Sequence, residues 1–200
     1  IINLMNTVDD NAAIKKILAD YYRSQKKYNL AIKIYNELIF DEQKELSWLY
    51  YLRGICYERS DRWKDAESDF LKSLELEPDS PDVLNYLAYG WIEKNMNIEE
   101  SFLMLERAYE QNPESYYILD SLAWAYYKKN KFEIAAKLME KVIDMAPGEA
   151  ISLDHLGDIY FAMNRIREAV HFWKQAKDLA LPEDEITEKI NLKLREVNEG

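Results

Sequence analysis

The chain reads as an all-α solenoid of five helix-turn-helix units followed by a capping helix, and three observations predict it. Pro78, Pro113, Pro147 and Pro182 are separated by 35, 34 and 35 residues, a fixed period of the kind that stacked repeats leave in a sequence. Only five Gly and five Pro occur in 200 residues, which favours helices over turn-rich sheets. Residues 116–149, YYILDSLAWAYYKKNKFEIAAKLMEKVIDMAPGE, form one complete unit of 34 residues, and most of the chain repeats its pattern of small and large side chains.

Setting the chain in register on that unit gives units at 12–45, 47–80, 81–115, 116–149 and 150–183, with Leu46 as one residue of slack. The third unit carries an extra residue around Asn95-Met96-Asn97. The eighth place holds Ala19, Gly54, Ala88, Ala123 and Gly157; the twentieth holds Ala31, Ala66, Ser101, Ala135 and Ala169. All are small, as the crossing of two helices demands. Three residues after the first small site stand Tyr22, Tyr57, Trp91, Tyr126 and Tyr160, and the twenty-fourth place holds Tyr35, Phe70, Leu105, Met139 and Trp173. Small residues where helices touch and large ones between them predict one core running through all units. With 48% apolar residues, the material for that core is present.

At the ends, Ile1, Ile2, Leu4, Met5 and Val8 form an apolar strip within 1–11, read as the tail of a preceding helix or a contact with another chain. Residues 184–198 place Ile186, Ile190, Leu194 and Val197 on one stripe, with acids at Glu183, Asp184 and Glu185 and bases later, an order that suits the helix dipole. Such a helix covers the exposed core of the last unit. Ser80-Pro81 and Ser115 stand where helix starts need them.

This pattern of small-x-x-aromatic, Ala, large and Pro resembles the tetratricopeptide repeat over about residues 12–183. Departures are Gln43 in place of the closing Pro of unit one, Ser101 for Ala, and Val142 where a small residue is usual. The resemblance implies a right-handed α–α superhelix whose first helices line a concave face. The series YERSDRWKDAESDF, LNYLAYGW, ILDSLAWAYY and LDHLGDIY is also similar to repeats of bacterial envelope-associated proteins, lipoproteins among them that hold a carboxyl-terminal processing protease near its substrates. That likeness implies a bacterial adaptor, periplasmic or envelope-associated.

Charge narrows the partners. The net charge of −11 concentrates in residues 47–115, with seven basic against fifteen acidic side chains. Such a surface repels nucleic acid and anionic membrane surfaces. No apolar run reaches transmembrane length. The lone Cys56 lies in an apolar helix and reads as a small core residue, which excludes a disulfide framework.

Four places of each first helix face inward, and from unit two onward they are aromatic and acidic together. The second place gives Trp48, Asp82, Tyr117 and Ile151; the fifth Tyr51, Asn85, Asp120 and Asp154; the ninth Ile55, Tyr89, Trp124 and Asp158; the twelfth Glu58, Ile92, Tyr127 and Phe161. Packing alone does not demand this row. It is expected to bind a protein or peptide segment of basic or apolar character, through Trp48, Tyr51, Asp82, Asn85, Tyr89, Tyr117, Asp120, Trp124, Tyr127, Asp154 and Asp158. A clamp for terminal carboxylates is argued against by Asp20 and Asp82, whose charge would repel them. His155 and His171 are the only histidines; Asp158 lies one turn beyond His155, but no further ligand recurs, so neither a metal, a cofactor nor catalysis is expected. The alternative to an adaptor is a self-association module using the N-terminal apolar strip.

Overall fold

The computed structural model describes residues 11–41, 45–182 and 186–199. They form α1 (Asn11–Ser24), α2 (Tyr28–Asp41), α3 (Leu46–Glu58), α4 (Trp63–Leu76), α5 (Pro81–Glu93), α6 (Ile98–Gln111), α7 (Tyr116–Lys128), α8 (Phe132–Met145), α9 (Ala150–Ala162), α10 (Ile166–Leu179) and α11 (Thr187–Glu199), with no strand among the described residues. The apolar strip at Ile1, Ile2, Leu4, Met5 and Val8, the Gln43 departure and the acids Glu183, Asp184 and Glu185 lie outside the described residues.

Contacts divide the chain into two compact units, the first ending at Val83 and the second beginning at Leu84, where the sequence leads one to expect a single core. In the first unit α1 packs on α2, α2 on α3 and α3 on α4, around Ala19, Ala31, Tyr35, Leu49, Ala66 and Phe70. In the second, α5, α6 and α7 share a cluster built on Ala88, Ile92, Leu105 and Leu122. A larger cluster joins α7, α8, α9, α10 and α11 through Leu119, Met139, Leu156, Trp173 and Ile190.

The helix pairs turn by one recurring device. Lys26, Asp61, Asn95, Asn130 and Asn164 all adopt left-handed backbone, with φ of 56°, 57°, 53°, 57° and 59°. After each, the next amide donates to the carbonyl of the aromatic that stands three residues past the first small site: Lys27 to Tyr22, Arg62 to Tyr57, Met96 to Trp91, Lys131 to Tyr126 and Arg165 to Tyr160, at 2.8–2.9 Å. This is the Schellman closure, which satisfies carbonyls that a helix end otherwise leaves unpaired. The extra residue near Asn95 is taken up by a second left-handed residue, Asn97 (φ 43°), immediately before α6. Pro81 opens α5, and the Ser115 hydroxyl caps α7 by accepting from the Ile118 amide.

In the α3–α4 and α9–α10 pairs the eighth and twenty-fourth places meet. A Cβ added to Gly54 would lie 2.6 Å from Phe70 Cε1, and one added to Gly157 2.4 Å from Trp173 Cδ1. Glycine is needed there because an aromatic ring rests on the helix backbone itself.

Candidate protein-interaction surface

The inner-face residues divide by burial into two groups. Exposed or half-exposed in the second unit are Tyr89, Tyr117 and Tyr127, joined by Ile151 and Phe161; Tyr117, Ile151 and Phe161 keep 41%, 40% and 44% of their surface in contact with solvent. Tyr117, Tyr127, Ile151 and Phe161 occupy the second and twelfth places of the two adjacent repeats carried on α7 and α9, whereas Tyr89 stands at the ninth place on α5. Tyr117 meets Tyr116 edge-on with ring centroids 5.8 Å apart. In the first unit, Trp48 is half exposed and leans on the nearly buried Tyr51, with centroids 5.0 Å apart, a separate patch on α3. Asp82 is half-buried in the first turn of α5.

Asn85, Asp120, Trp124 and Asp154 are buried, and Asp158 is largely so. Asp120, Trp124, Asp154 and Asp158 each have a partner within the protein. The Trp124 indole stacks on Tyr127 (centroids 4.5 Å, planes 16° apart) and on the His155 ring (4.1 Å, 17°). Its Nε1 donates to Glu93 Oε1 at 2.7 Å, and Lys128 Nζ sits 5.1 Å over its ring while pairing with Glu93. Asp120 Oδ1 lies 2.8 Å from His155 Nδ1 across the α7–α9 contact. Burial pushes the His155 imidazole towards neutrality, but the adjacent Asp120 carboxylate, with Asp154 and Asp158 behind it, prevails and raises its pKa above the ordinary histidine value. Asp120 Oδ2 and Asn85 Oδ1 are closed off and accept nothing from the described protein groups.

Asp154 and Asp158 are bridged from α11. Lys193 Nζ lies 2.7 Å from Asp154 Oδ1 and 2.7 Å from Asp158 Oδ1. Asp158 Oδ1 also accepts from Trp173 Nε1 at 2.9 Å. In the first unit, Asp20 accepts in the same way from the Tyr35 hydroxyl at 2.9 Å. An acid at the ninth place therefore serves the polar tip of the aromatic at the twenty-fourth. The sequence reading missed this pairing, although the recurrence of an acid and a donor-bearing aromatic fifteen residues apart in both units is its signal.

Among the described residues no group of His, Cys, Asp or Glu is arranged to hold a metal ion, and no helix is long and apolar enough to cross a membrane. Cys56 is buried, and burial pushes its thiol up to about 12, far from a reactive thiolate.

Comparison with known proteins gives the same architecture. Tetratricopeptide-repeat family profiles match residues 47–80 and 121–182. A TPR repeat-containing protein of Pseudomonas aeruginosa is 26% identical over 110 residues, covering 55% of this chain and 18% of the relative, so the chain spans less than a fifth of that protein. Among solved structures, PilW, described as a widely conserved type IV pilus biogenesis factor, superposes with a TM-score of 0.75 at 17% identity, covering 90% of this chain and 83% of its own. MamA from Desulfovibrio magneticus gives 0.69 at 18% identity, covering 85% and 95%. YrrB, described as a TPR protein with an unusual peptide-binding site, gives 0.64 at 17% identity, covering 98% and 97%. With the periodic small and large places, the repeated turn and these matches, the chain carries tetratricopeptide repeats at 47–80 and 121–182 and has the all-α solenoid fold of such proteins.

Proposed function

We propose that the chain is an adaptor of the bacterial envelope that holds a segment of another protein against the aromatic row on α7 and α9. The carrying observation is the exposure of Tyr117, Ile151 and Phe161, with Tyr127 beside them, at matching places of adjacent units. Large apolar side chains left in water at repeated positions are the raw material of a binding surface, and aromatic ones give contact area at low entropic cost. The buried group supports the row rather than touching the partner: Trp124 and His155 fix the Tyr127 ring from below, and Asp120 fixes His155. The envelope assignment is supported by the likeness of the repeat motifs to envelope-associated proteins.

A photo-crosslinking residue at Tyr117 or Tyr127 tests this, with one at exposed Leu103 on α6 as control. The reading expects the same partner to be captured from positions 117 and 127 and not from 103. Equal capture from all three, or a partner still retained by a Tyr117→Ala/Tyr127→Ala/Phe161→Ala chain, ends it.

Self-association is a second reading with its own observation. Ile17 and Tyr21, one turn apart on α1, and Phe40 on α2 are exposed in the first unit. Sedimentation over a hundred-fold range of concentration distinguishes the two, since only self-association makes the mass rise and makes Ile17→Ser/Tyr21→Ser abolish the rise.

A further inference from the structure

The face of α9 and α10 that carries α11 is built for a particular kind of helix. Ile190 is fully buried there and Ile186 nearly so, while Leu194 and Val197 pack against the same cluster. Beside these apolar contacts sit two carboxylates one helical turn apart on α9. Desolvation pushes the Asp154 carboxyl up; the Lys193 ammonium draws it back and the Asp158 charge opposes that, leaving it above its ordinary value. Two largely buried acids side by side demand a cation, and Lys193 supplies one through a stem that lies against the Trp173 ring, with Nζ 5.6 Å from its centroid. The rest of α11 is polar, and Leu192 points into water. What holds the helix is thus a short recognition pattern: apolar residues four apart, then a lysine three positions beyond the second.

We propose that this face is a socket for a lysine-bearing amphipathic helix, filled within the chain by α11 and taken over by a partner helix of the same pattern. A basic partner suits the two acids of this face, whereas an acidic helix would meet Asp154 and Asp158 with like charge. The inference rests on the reading of the chain as a binding scaffold but not on the aromatic row, so the two fail separately. α11 competes at the high local concentration of a tethered ligand, so exchange is governed by how firmly Lys193 holds.

The test uses the full chain and a fluorescent peptide of residues 186–199 as the probe. Lys193→Met keeps the apolar stem and removes the charge. It should bind the peptide at least tenfold more tightly than the wild-type chain does, by anisotropy, while Lys193→Arg behaves as wild type. A peptide with methionine at the position of Lys193 should lose that binding, as should a chain combining Lys193→Met with Asp158→Asn. A second measurement keeps the wild-type fold: excess peptide should accelerate amide exchange in α11 but not in α7. The proposal is overturned if the Lys193→Met chain retains its helical signal yet shows no saturable binding. It is likewise overturned if the lysine-free peptide binds equally well, or if α11 exchange in the wild-type chain ignores the peptide. Wild-type dimers that dissolve on Asp158→Asn overturn it in favour of a second copy as the occupant. Crosslinks from Tyr117 and Tyr127 are unaffected by any of these outcomes.

Discussion

At the scale of single residues, the contact between the eighth and twenty-fourth places sets what each unit tolerates. Trp173 is buried, and its Nε1 is committed to Asp158, so the indole cannot swing away from Gly157. Gly157→Ala therefore forces a methyl into a ring that stands 2.4 Å from it. The gain in helix propensity, about 1 kcal/mol, is outweighed by an overpacking cost of about 1–3 kcal/mol, and urea unfolding should show net destabilisation. Gly148→Ala, where a Cβ meets nothing within 4 Å, supplies the control and should not show it. Equal effects at the two glycines would remove the packing account. Ala123→Leu, at a fully buried crossing, should likewise cost about 1–3 kcal/mol; an unchanged melt would refute the register. The need for smallness was legible in the sequence because every unit repeats it. Why Gly stands at 54 and 157 was not, since Ala fills the same place at 19, 88 and 123 and the choice depends on how each large side chain lies.

At the scale of elements, the prolines and the small and large places mark the repeats in the sequence, but nothing in it marks how the turns close. The left-handed position carries Lys, Asp and three Asn, a mixture with no glycine to mark it. Only the recurrence of the backbone bond to the aromatic carbonyl exposes it. Lys26 is the least suited of the five, and Lys26→Gly should stabilise the α1–α2 turn by up to about 1 kcal/mol by relieving left-handed strain; a loss of stability would mean the lysine stem matters more than the backbone. Between α7 and α9 the sequence placed Asp120 and Asp154 on inner faces, yet their partners come from 35 and 39 residues away, beyond the reach of any helical-spacing argument. The Asp120–His155 contact carries a pH signature. Because the folded imidazole has a raised pKa, its contribution is complete below the unfolded value of about 6.5 and fades as pH rises through the folded value. The stability lost in His155→Gln should accordingly shrink as pH is raised above neutrality, read from urea unfolding of both chains across pH 5.5–9. A difference that grows with pH would mean the ring packs on Trp124 as neutral imidazole.

At the scale of the whole molecule, the opposing terms are paired surface charges and net repulsion. Arg62–Asp65 and Lys72–Glu75 are ion pairs between partly exposed side chains one turn apart on α4 or at its entry. Such pairs contribute little each, and salt weakens them. Against them stands the imbalance of seven basic and fifteen acidic residues in 47–115, within a chain of net charge −11. One pair in that stretch, Arg53 with Asp69 at 2.6 Å, is mostly shielded from solvent, so added salt screens it less than it screens the exposed acids. Repulsion should therefore win. Raising sodium chloride from about 20 to about 200 mM, which shortens the screening length from roughly 20 Å to below 10 Å, should raise the melting temperature at pH 7. Each unit buries its apolar face mainly against its sequence neighbours, so the gain should appear as a shift of the transition rather than as a new step. A melting temperature that falls with salt would show that the exposed pairs, not the excess of acids, dominate the electrostatics of the solenoid.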